Sequence, residues 1–247
     1  GAEILTGGQQ APTYQTDRRT SSPPKAGAPT DEMGSMIAGV LGEIDDRWSE
    51  IFSASGQTYR GPRIVLFRNA TNGGRCGMAQ SAMGPFYCPP DKQIFLDTGF
   101  FREVETRFRG CSGNACKFTA AYIIAHEAGH HIQNLLGILR KVQEAQGRMS
   151  KTQANAVEVR VELQADCFAG VWAYNIQAMD RIEPGDIDEA LRTASAIGDD
   201  KLQQQGRGVV VPDSFTHGSS AQRTRWFNTG FKSGNMQSCD TFRTNQL

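Results

Sequence analysis

Three of the four histidines in this chain of 247 residues lie within the segment HEAGHH at positions 126–131. Two histidines four positions apart on a helix project their imidazoles from one face, which is the spacing that holds one zinc ion. The intervening Glu127 lies beside them, where its carboxylate can reach a water bound to the metal. The sequence therefore predicts a zinc site at His126 and His130, with Glu127 as general base.

The surroundings of this segment predict a buried helix over residues 117–139. Apolar residues recur there at three- and four-residue steps, among them Phe118, Tyr122, Ile132 and Leu136. Two imidazoles and a carboxylate in so apolar a helix would be costly to bury without a partner, and a metal ion is the simplest partner. A polar stripe on the surface of the helix is the alternative explanation.

A catalytic zinc ion takes a third protein ligand and leaves one position open for water. A histidine six residues after His130 would be one source of that ligand, but position 136 is Leu. A second predicted helix, over residues 150–180, is the better source. It opens with the capping-box pattern of Ser150 and Gln153.

Three carboxylates lie four residues apart on this second helix, at Glu158, Glu162 and Asp166. Like charges at this spacing repel one another on an isolated helix, so the row is best explained if it faces a cation and metal-bound histidines. We assign Glu162 as the third ligand and Asp166 as the acceptor for the free N–H of a zinc-bound imidazole. A solvated acidic face is the alternative, which apolar neighbours such as Val161 and Leu163 weaken.

Three segments of the chain resemble, in this order, the bacterial family named putative neutral zinc metallopeptidases: HEAGHHIQ, ELQADCFAGVWA and FTHGSSAQRTRWFNTGF. The likeness covers about residues 33–242. It implies a zinc-dependent, peptidase-like domain of the gluzincin group, in which Glu-x-x-x-Asp supplies the third ligand. It also implies a location outside the cytoplasm, often behind a single N-terminal membrane helix.

The expected fold is α+β, a zincin-like domain that is mostly helical with a small, mainly antiparallel sheet beside the metal-binding helix. Short segments bounded by Gly, Asn and Pro predict strands at residues 63–67, near 76–80, at 85–89 and at 93–97. By resemblance, the hairpin over residues 85–97 is the candidate edge for an extended peptide bound through main-chain hydrogen bonds. A purely structural hairpin is the alternative.

Composition divides the chain into two parts. Residues 1–30 are rich in Gly, Pro, Ser and Thr and predict a flexible linker, whereas residues 31–247 are expected to form one metallopeptidase-like domain. Its first helix follows Asp31 and carries an apolar stripe between Met33 and Phe52. Further helices are predicted over residues 99–108, 186–205 and 219–234.

The fourth histidine is a further candidate for the site. A His-plus-Arg segment lies over the zinc in related membrane-bound gluzincins, so the resemblance makes His217, together with Arg223, a candidate to stabilise the oxyanion of a tetrahedral intermediate. The alternative is that His217 caps the following helix and Arg223 makes a structural ion pair. His131 is expected to lie outside the ligand set, because its side chain points about 100° around the helix from His130.

The expected activity is that of a zinc-dependent endopeptidase acting on extended polypeptides. One zinc ion held by His126, His130 and Glu162 would lower the pKa of its water to about 7. Glu127 would accept the proton and pass it to the leaving amine. Two alternatives stay open: a catalytically silent, zinc-stabilised binding or regulatory module, and a peptidase whose N-terminal segment occupies its own cleft.

Charge and hydropathy bear on partners and location. Since 26 Lys and Arg balance 26 Asp and Glu, nothing in the charge favours nucleic acid or an anionic membrane surface. No apolar run approaches the ~20 residues that a membrane helix needs. Because the chain begins Gly-Ala-Glu, we interpret it as a processed product that has lost its targeting segment. With the location that the resemblance implies, we expect an extracytoplasmic protein anchored to the membrane only through an N-terminal segment absent from this chain. A cytosolic protein with a ragged N-terminus is the alternative.

Six cysteines, an even number without a C-x-x-C pair, support export and argue against a zinc ribbon. Six cysteines allow fifteen connectivities. Proximity and elimination favour Cys76–Cys88, Cys111–Cys116 and Cys167–Cys239.

Overall fold

The structure is a computed structural model that describes residues 31–100, 115–178, 185–196, 198 and 210–247. Four predictions lie wholly or mostly outside the described residues: the linker over residues 1–30, the helix over residues 99–108, the end of the helix over residues 186–205, and the Cys111–Cys116 disulfide.

Helices make up most of the described chain. They are α1 (Glu32–Ala54), α2 (Ala115–Leu135), α3 (Ile138–Gln146), α4 (Lys151–Gln177), α5 (Asp186–Ala196) and α6 (Ser220–Ser233). The longest of them, α4, packs against both α2 and α6. The two sequence motifs of the predicted metal site therefore lie on neighbouring helices.

The starts of three helices follow from side chains that satisfy the first backbone N–H groups. Asp31 accepts a hydrogen bond from the Gly34 amide at 2.7 Å and caps α1. Ser150 and Ser219 each form a capping box with the glutamine three residues later, at the starts of α4 and α6. The predicted beginnings of α1 and α4 are confirmed.

The helix predicted over residues 117–139 is in fact two helices. Leu135 ends α2, and α3 begins at Ile138. Between them Gly137 has φ 73°, a left-handed conformation that glycine adopts without steric cost. The apolar periodicity continues across this break, so the pattern did not reveal it.

In the described part of the chain, five short strands form two sheets, namely β1 (Arg63–Phe67), β2 (Ala70–Asn72), β3 (Met78–Gln80), β4 (Phe86–Cys88) and β5 (Gln93–Asp97). The central strand β5 pairs with β1 in parallel and with β4 antiparallel, while β2 and β3 form a separate antiparallel ribbon. The predicted antiparallel pairing thus holds for β4–β5 and β2–β3, whereas the five-residue pair β1–β5 is parallel. The sequence analysis did not identify β2.

The main core lies where α1, α2, α4 and α6 meet. Trp48 of α1 packs edge-on against Phe168 of α4, with ring centroids 5.5 Å apart. A Cβ at Gly230 of α6 would overlap the carbonyl oxygen of Cys167, so α4 and α6 approach as closely as only glycine permits. This close approach lets long side chains of α6 reach the buried face of α4.

Two of the predicted disulfides are present. Cys76–Cys88 joins the turn before β3 to β4, and Cys167–Cys239 joins α4 to the C-terminal segment. None of the described helices has the length and apolar character needed to cross a bilayer.

Candidate metal centre

Three side chains predicted to bind metal converge between α2 and α4. The Nε2 atom of His126 lies 3.1 Å from Oε2 of Glu162, and Nε2 of His130 lies 3.4 Å from Oε1 of the same carboxylate. One ligand atom from each residue can be chosen so that all lie within 4.8 Å of one another. Within the described ranges, no other group of His, Cys, Asp or Glu side chains has this geometry.

A glycine between the two histidines allows this convergence. His126 and His130 are one turn apart on α2, and Gly129 faces α4 between them. A Cβ at Gly129 would lie 3.0 Å from the Cα atom and carbonyl oxygen of Ala165. Since even one methyl group would crowd this contact, the two helices pack closely enough for Glu162 to reach both imidazoles.

The chemistry of these donors fits a divalent metal ion. Two imidazole nitrogens and one carboxylate oxygen are a typical ligand set for zinc in catalytic sites. His126 and Glu162 are buried and His130 is nearly so, and each imidazole turns its Nε2 atom towards the shared carboxylate. A buried cation would offset the cost of burying this carboxylate among neutral imidazoles.

Asp166 holds His126 in place from the side away from the centre. Its Oδ1 atom lies 2.8 Å from Nδ1 of His126 and accepts a hydrogen bond from the hydroxyl of Tyr122 at 2.6 Å. Arg223 donates to both oxygens of this carboxylate, at 2.8 and 2.9 Å. Because the ionised carboxylate can only accept, Nδ1 of His126 carries a hydrogen, which leaves Nε2 as the nitrogen that could bind a metal ion.

The charged groups around the site shift the pKa values of its ionisable side chains. Burial alone would raise the pKa of Asp166, but Arg223 and His126 hold it well below its ordinary value. Burial alone would lower the pKa of His126, but Asp166 and Glu162 raise it to about 10. A metal ion binding at Nε2 of His126 would therefore have to compete with a proton for this nitrogen.

Glu127 lies on α2 next to His126 and lines the same cleft. It is 7% exposed, and burial is the largest cause of a pKa raised above its ordinary value. A carboxylate with a raised pKa is suited to accept a proton near neutral pH. The structure thus places the predicted general base beside the candidate ligands.

The structure separates the two residues predicted near an oxyanion. His217 is exposed and lines the cleft, with Nδ1 3.0 Å from the hydroxyl oxygen of Thr216. It does not cap α6, because Ser219 does. Arg223 is buried, so its ion pair with Asp166 is the structural one considered from the sequence, although its side chain also borders the cleft.

The acidic row on α4 divides into three environments. Glu162 faces the histidines, Asp166 lies behind them, and Glu158 lies outside the ligand group on the wall of the cleft. Glu158 accepts a hydrogen bond from the side-chain amide of Gln146 on α3 at 2.9 Å. Four-residue spacing therefore brought all three carboxylates to one face of the helix, but only two of them to the metal site.

His131 links α2 to the edge strand β4. Its Nε2 atom lies 2.7 Å from the carbonyl oxygen of Arg60, so Nε2 is the donor and Nδ1 accepts from the hydroxyl of Tyr87 at 2.8 Å. Burial lowers the pKa of His131, so the ring is neutral. Asn134 adds bonds to the Tyr87 hydroxyl and to the Pro89 carbonyl, each 2.9 Å long.

An open cleft of about 1160 Å³ passes over the candidate site. It is lined by residues 81–87 and 89–90, including Phe86 and Tyr87 of β4, and by side chains of α2, α3 and α4. β4 is an edge of the three-stranded sheet. The cleft is therefore long and open, with a strand edge on one side and the candidate metal ligands beside it.

Two buried glutamines near the site were missed by the sequence analysis. Gln133 accepts from Nδ1 of His130 at 2.9 Å, and its amide nitrogen donates to Oε1 of Gln164 at 3.0 Å. A signal was present: Gln133 lies three residues after His130, hence on the same face of a largely apolar helix.

The sequence has relatives among known families and proteins. It matches the family described as "Putative neutral zinc metallopeptidase" over residues 2–242. The uncharacterized protein YpfJ of Escherichia coli K12 is 45% identical over 239 residues, which cover 97% of this chain and 79% of that protein. The uncharacterized protein Mb2605 of Mycobacterium bovis is 44% identical over 215 residues, which cover 83% of this chain and 69% of that protein.

This chain therefore belongs to the neutral zinc metallopeptidase family, and the resemblance inferred from its three motifs is confirmed. No solved structure gives a significant match.

Proposed function

We propose that this chain is a zinc-dependent endopeptidase that hydrolyses peptide bonds in extended polypeptides. The observation that carries the proposal is the convergence of His126, His130 and Glu162 on one point, with Glu127 beside them, in an open cleft. A purely structural metal would need neither a carboxylate with a raised pKa nor access from solvent.

The chemistry divides between the metal and the protein. Zinc at this site would supply a Lewis acid that polarises the scissile carbonyl and makes water more acidic. Glu127 accepts the proton of the attacking water and returns it to the leaving amine. His217, exposed on the cleft wall, donates a hydrogen bond to the oxygen on which negative charge develops.

The shape of the cleft supports an extended polypeptide as substrate. Its edge strand β4 offers main-chain groups to an extended peptide, as strands do in other complexes formed by strand addition. The bonds of Tyr87 to His131 and Asn134 fix this strand relative to α2. A strand edge beside a helix that carries two metal ligands also supports assignment of the α+β fold to the zincin-like class.

The two disulfides support a location outside the cytoplasm, where such bonds persist. We further propose that the full-length protein is anchored through an N-terminal segment that is not part of this chain. The balance of basic and acidic residues gives no reason to propose a nucleic-acid partner.

The test is the Glu127→Gln substitution, which keeps the size of the side chain and removes the base. We expect zinc content, measured by atomic absorption, to stay at that of the unmodified protein. Cleavage of a denatured polypeptide or a peptide library should fall by about 10²–10⁴-fold, the usual contribution of a general base.

A matched control is Glu144→Gln, which neutralises an exposed carboxylate on α3 and should leave turnover unchanged. If Glu127→Gln cuts peptides as fast as the unmodified protein, the proposed mechanism is wrong. If the unmodified protein binds zinc but cuts no peptide in the library, the silent binding module is the better description.

A further inference from the structure

The two metal-binding histidines are held by chemically different partners. Nδ1 of His126 is hydrogen-bonded to a carboxylate that is itself paired with Arg223, whereas Nδ1 of His130 is hydrogen-bonded to the neutral amide of Gln133. Gln133 is 0% exposed and Gln164 is 5% exposed, so neither amide is satisfied by bulk water. Every polar atom of these two amides should then find its partner within the protein.

Two backbone carbonyls fix the direction of this pair of amides. The amide nitrogen of Gln164 donates to the carbonyl oxygen of Cys239 at 2.9 Å. The amide nitrogen of Gln133 donates to the carbonyl oxygen of Val161 at 2.7 Å as well as to Oε1 of Gln164. Since a carbonyl oxygen can only accept, each nitrogen must face its carbonyl, and neither amide can be flipped without placing two acceptors in contact.

The protonation of His130 follows from this direction. With its nitrogen committed to Val161 and Gln164, Gln133 turns its oxygen towards Nδ1 of His130. Nδ1 must therefore carry a hydrogen, which leaves Nε2, beside Glu162, as the nitrogen that can bind the metal. A ring in the other tautomer would turn an N–H group towards the metal and could not bind it.

We propose that Gln133 is the positioning residue of His130, and that Gln133 and Gln164 form a relay that sets the tautomer of this ligand from the carbonyl of Cys239. The inference rests on the proposed metal site and assigns residues outside the predicted ligand set. The relay spans three segments of the chain: α2, α4 and the C-terminal segment.

The far end of the relay is held in place by the C-terminal segment. Cys239 is bound to Cys167, one turn beyond Gln164 on α4. Close by, the hydroxyl of Thr241 donates to the carbonyl of Arg160 at 2.6 Å, which docks the same segment onto the same helix. The geometry of one metal ligand thus depends on a segment far from it in the sequence.

The experiment measures the affinity for zinc by competition with a chromophoric chelator, using metal-free protein and added zinc alone. Partners that orient a ligating histidine usually contribute 10–100-fold to metal affinity. We expect Gln133→Leu, which keeps the approximate volume but removes the acceptor, to weaken zinc binding by about this factor. Gln164→Leu should weaken it less, because Val161 still holds Gln133.

Asn134→Leu is the matched control for loss of a partly buried amide. It removes two hydrogen bonds one residue further along α2, to Tyr87 and Pro89, neither of which is a metal ligand. Its Tm should fall about as far as that of Gln133→Leu, while its affinity for zinc stays that of the unmodified protein. A loss of affinity equal in all three variants would overturn the relay and indicate general loosening of α2.

The outcomes separate this inference from the proposed function. If the unmodified protein binds zinc and Gln133→Leu binds it equally well, the relay is wrong and the metal site stands. If the unmodified protein binds zinc no better than a His126→Ala variant, both the proposed function and the relay are wrong.

Discussion

At the scale of single residues, the two candidate histidine ligands have chemically different partners: a charged carboxylate bonds to His126, and a neutral amide bonds to His130. Asp166 is fully buried, yet it remains ionised because Arg223 and His126 lie against it. Removing one partner of such a buried pair typically costs about 3–5 kcal/mol, since the other charge is left without compensation. Arg223 is therefore committed to Asp166, and His217 is the better candidate to contact the substrate.

The oxyanion role of His217 can be tested directly. His217→Phe removes the hydrogen-bond donor at an exposed position, so zinc content and Tm should not change. Loss of one donor to an oxyanion lowers kcat by about 10²–10³-fold, and we expect a fall of that order with little change in KM. Steady-state kinetics on a fluorogenic peptide would measure it. An unchanged kcat would rule out the role and leave His217 a residue of the cleft wall.

At the scale of elements, the contact between α2 and α4 decides whether the ligands can meet. Gly129→Ala places a methyl group 3.0 Å from the backbone of Ala165 and should push the helices apart. We expect a loss of about 1–3 kcal/mol of stability, as for other overpacked contacts. Zinc affinity should fall as well, because Glu162 moves away from the two imidazoles.

Gly39→Ala provides the control for the contact between the helices. Gly39 lies on the exposed face of α1, where an added Cβ meets nothing within 4 Å. Alanine there should stabilise the helix by up to ~1 kcal/mol and leave zinc binding unchanged. Urea unfolding and chelator competition measure both effects. If Gly129→Ala behaved like Gly39→Ala, the close approach of α2 and α4 would not matter for the site.

Elements whose signals are local could be predicted from the sequence. Asp31 and Ser150 cap helices through residues three positions away, and β1 and β5 lie at residues 63–67 and 93–97 as predicted. The candidate ligands His126 and His130 were also predictable, since a four-residue step on a helix fixes their relative direction.

Features that depend on distant partners could not be predicted in this way. Arg223 and Asp166 are 57 positions apart, and the sequence suggested the ion pair without identifying its acceptor. Gln133 finds Gln164 only after α2 and α4 have packed. The break at Gly137 was not predicted because apolar residues continue on both sides of it. The parallel pairing of β1 with β5 was not predicted because it depends on the intervening crossover rather than on either strand.

At the scale of the whole molecule, one half-buried acid outside the site should make stability depend on pH. Asp45 of α1 accepts a hydrogen bond from the hydroxyl of Tyr59 at 3.0 Å, and burial raises its pKa from 3.8 to about 6. The folded state thus holds this proton more tightly than the unfolded state. The resulting stabilisation is present below pH 4 and is lost as pH rises through about 6.

The Asp45→Asn substitution should remove this dependence. An amide oxygen still accepts from Tyr59 but carries no charge, so the variant should be more stable than the unmodified protein above pH 6. The gain should be about 1 kcal/mol, because solvent screens a half-buried group. Urea unfolding at pH 4 and pH 7 measures it, with Asp46→Asn as a more exposed control. An equal gain at both pH values would contradict the assignment.

The bond between Cys167 and Cys239 has a consequence for how this chain would respond to cleavage by a protease. It closes a loop with a sequence separation of 72 residues, which includes all of α6. One cut anywhere in that loop leaves two fragments that are still covalently joined, with Glu162 and Asp166 on one and, for a cut before α6, Arg223 on the other. A nicked molecule would thus keep both parts of the candidate site joined, and would be recognised as nicked only after reduction.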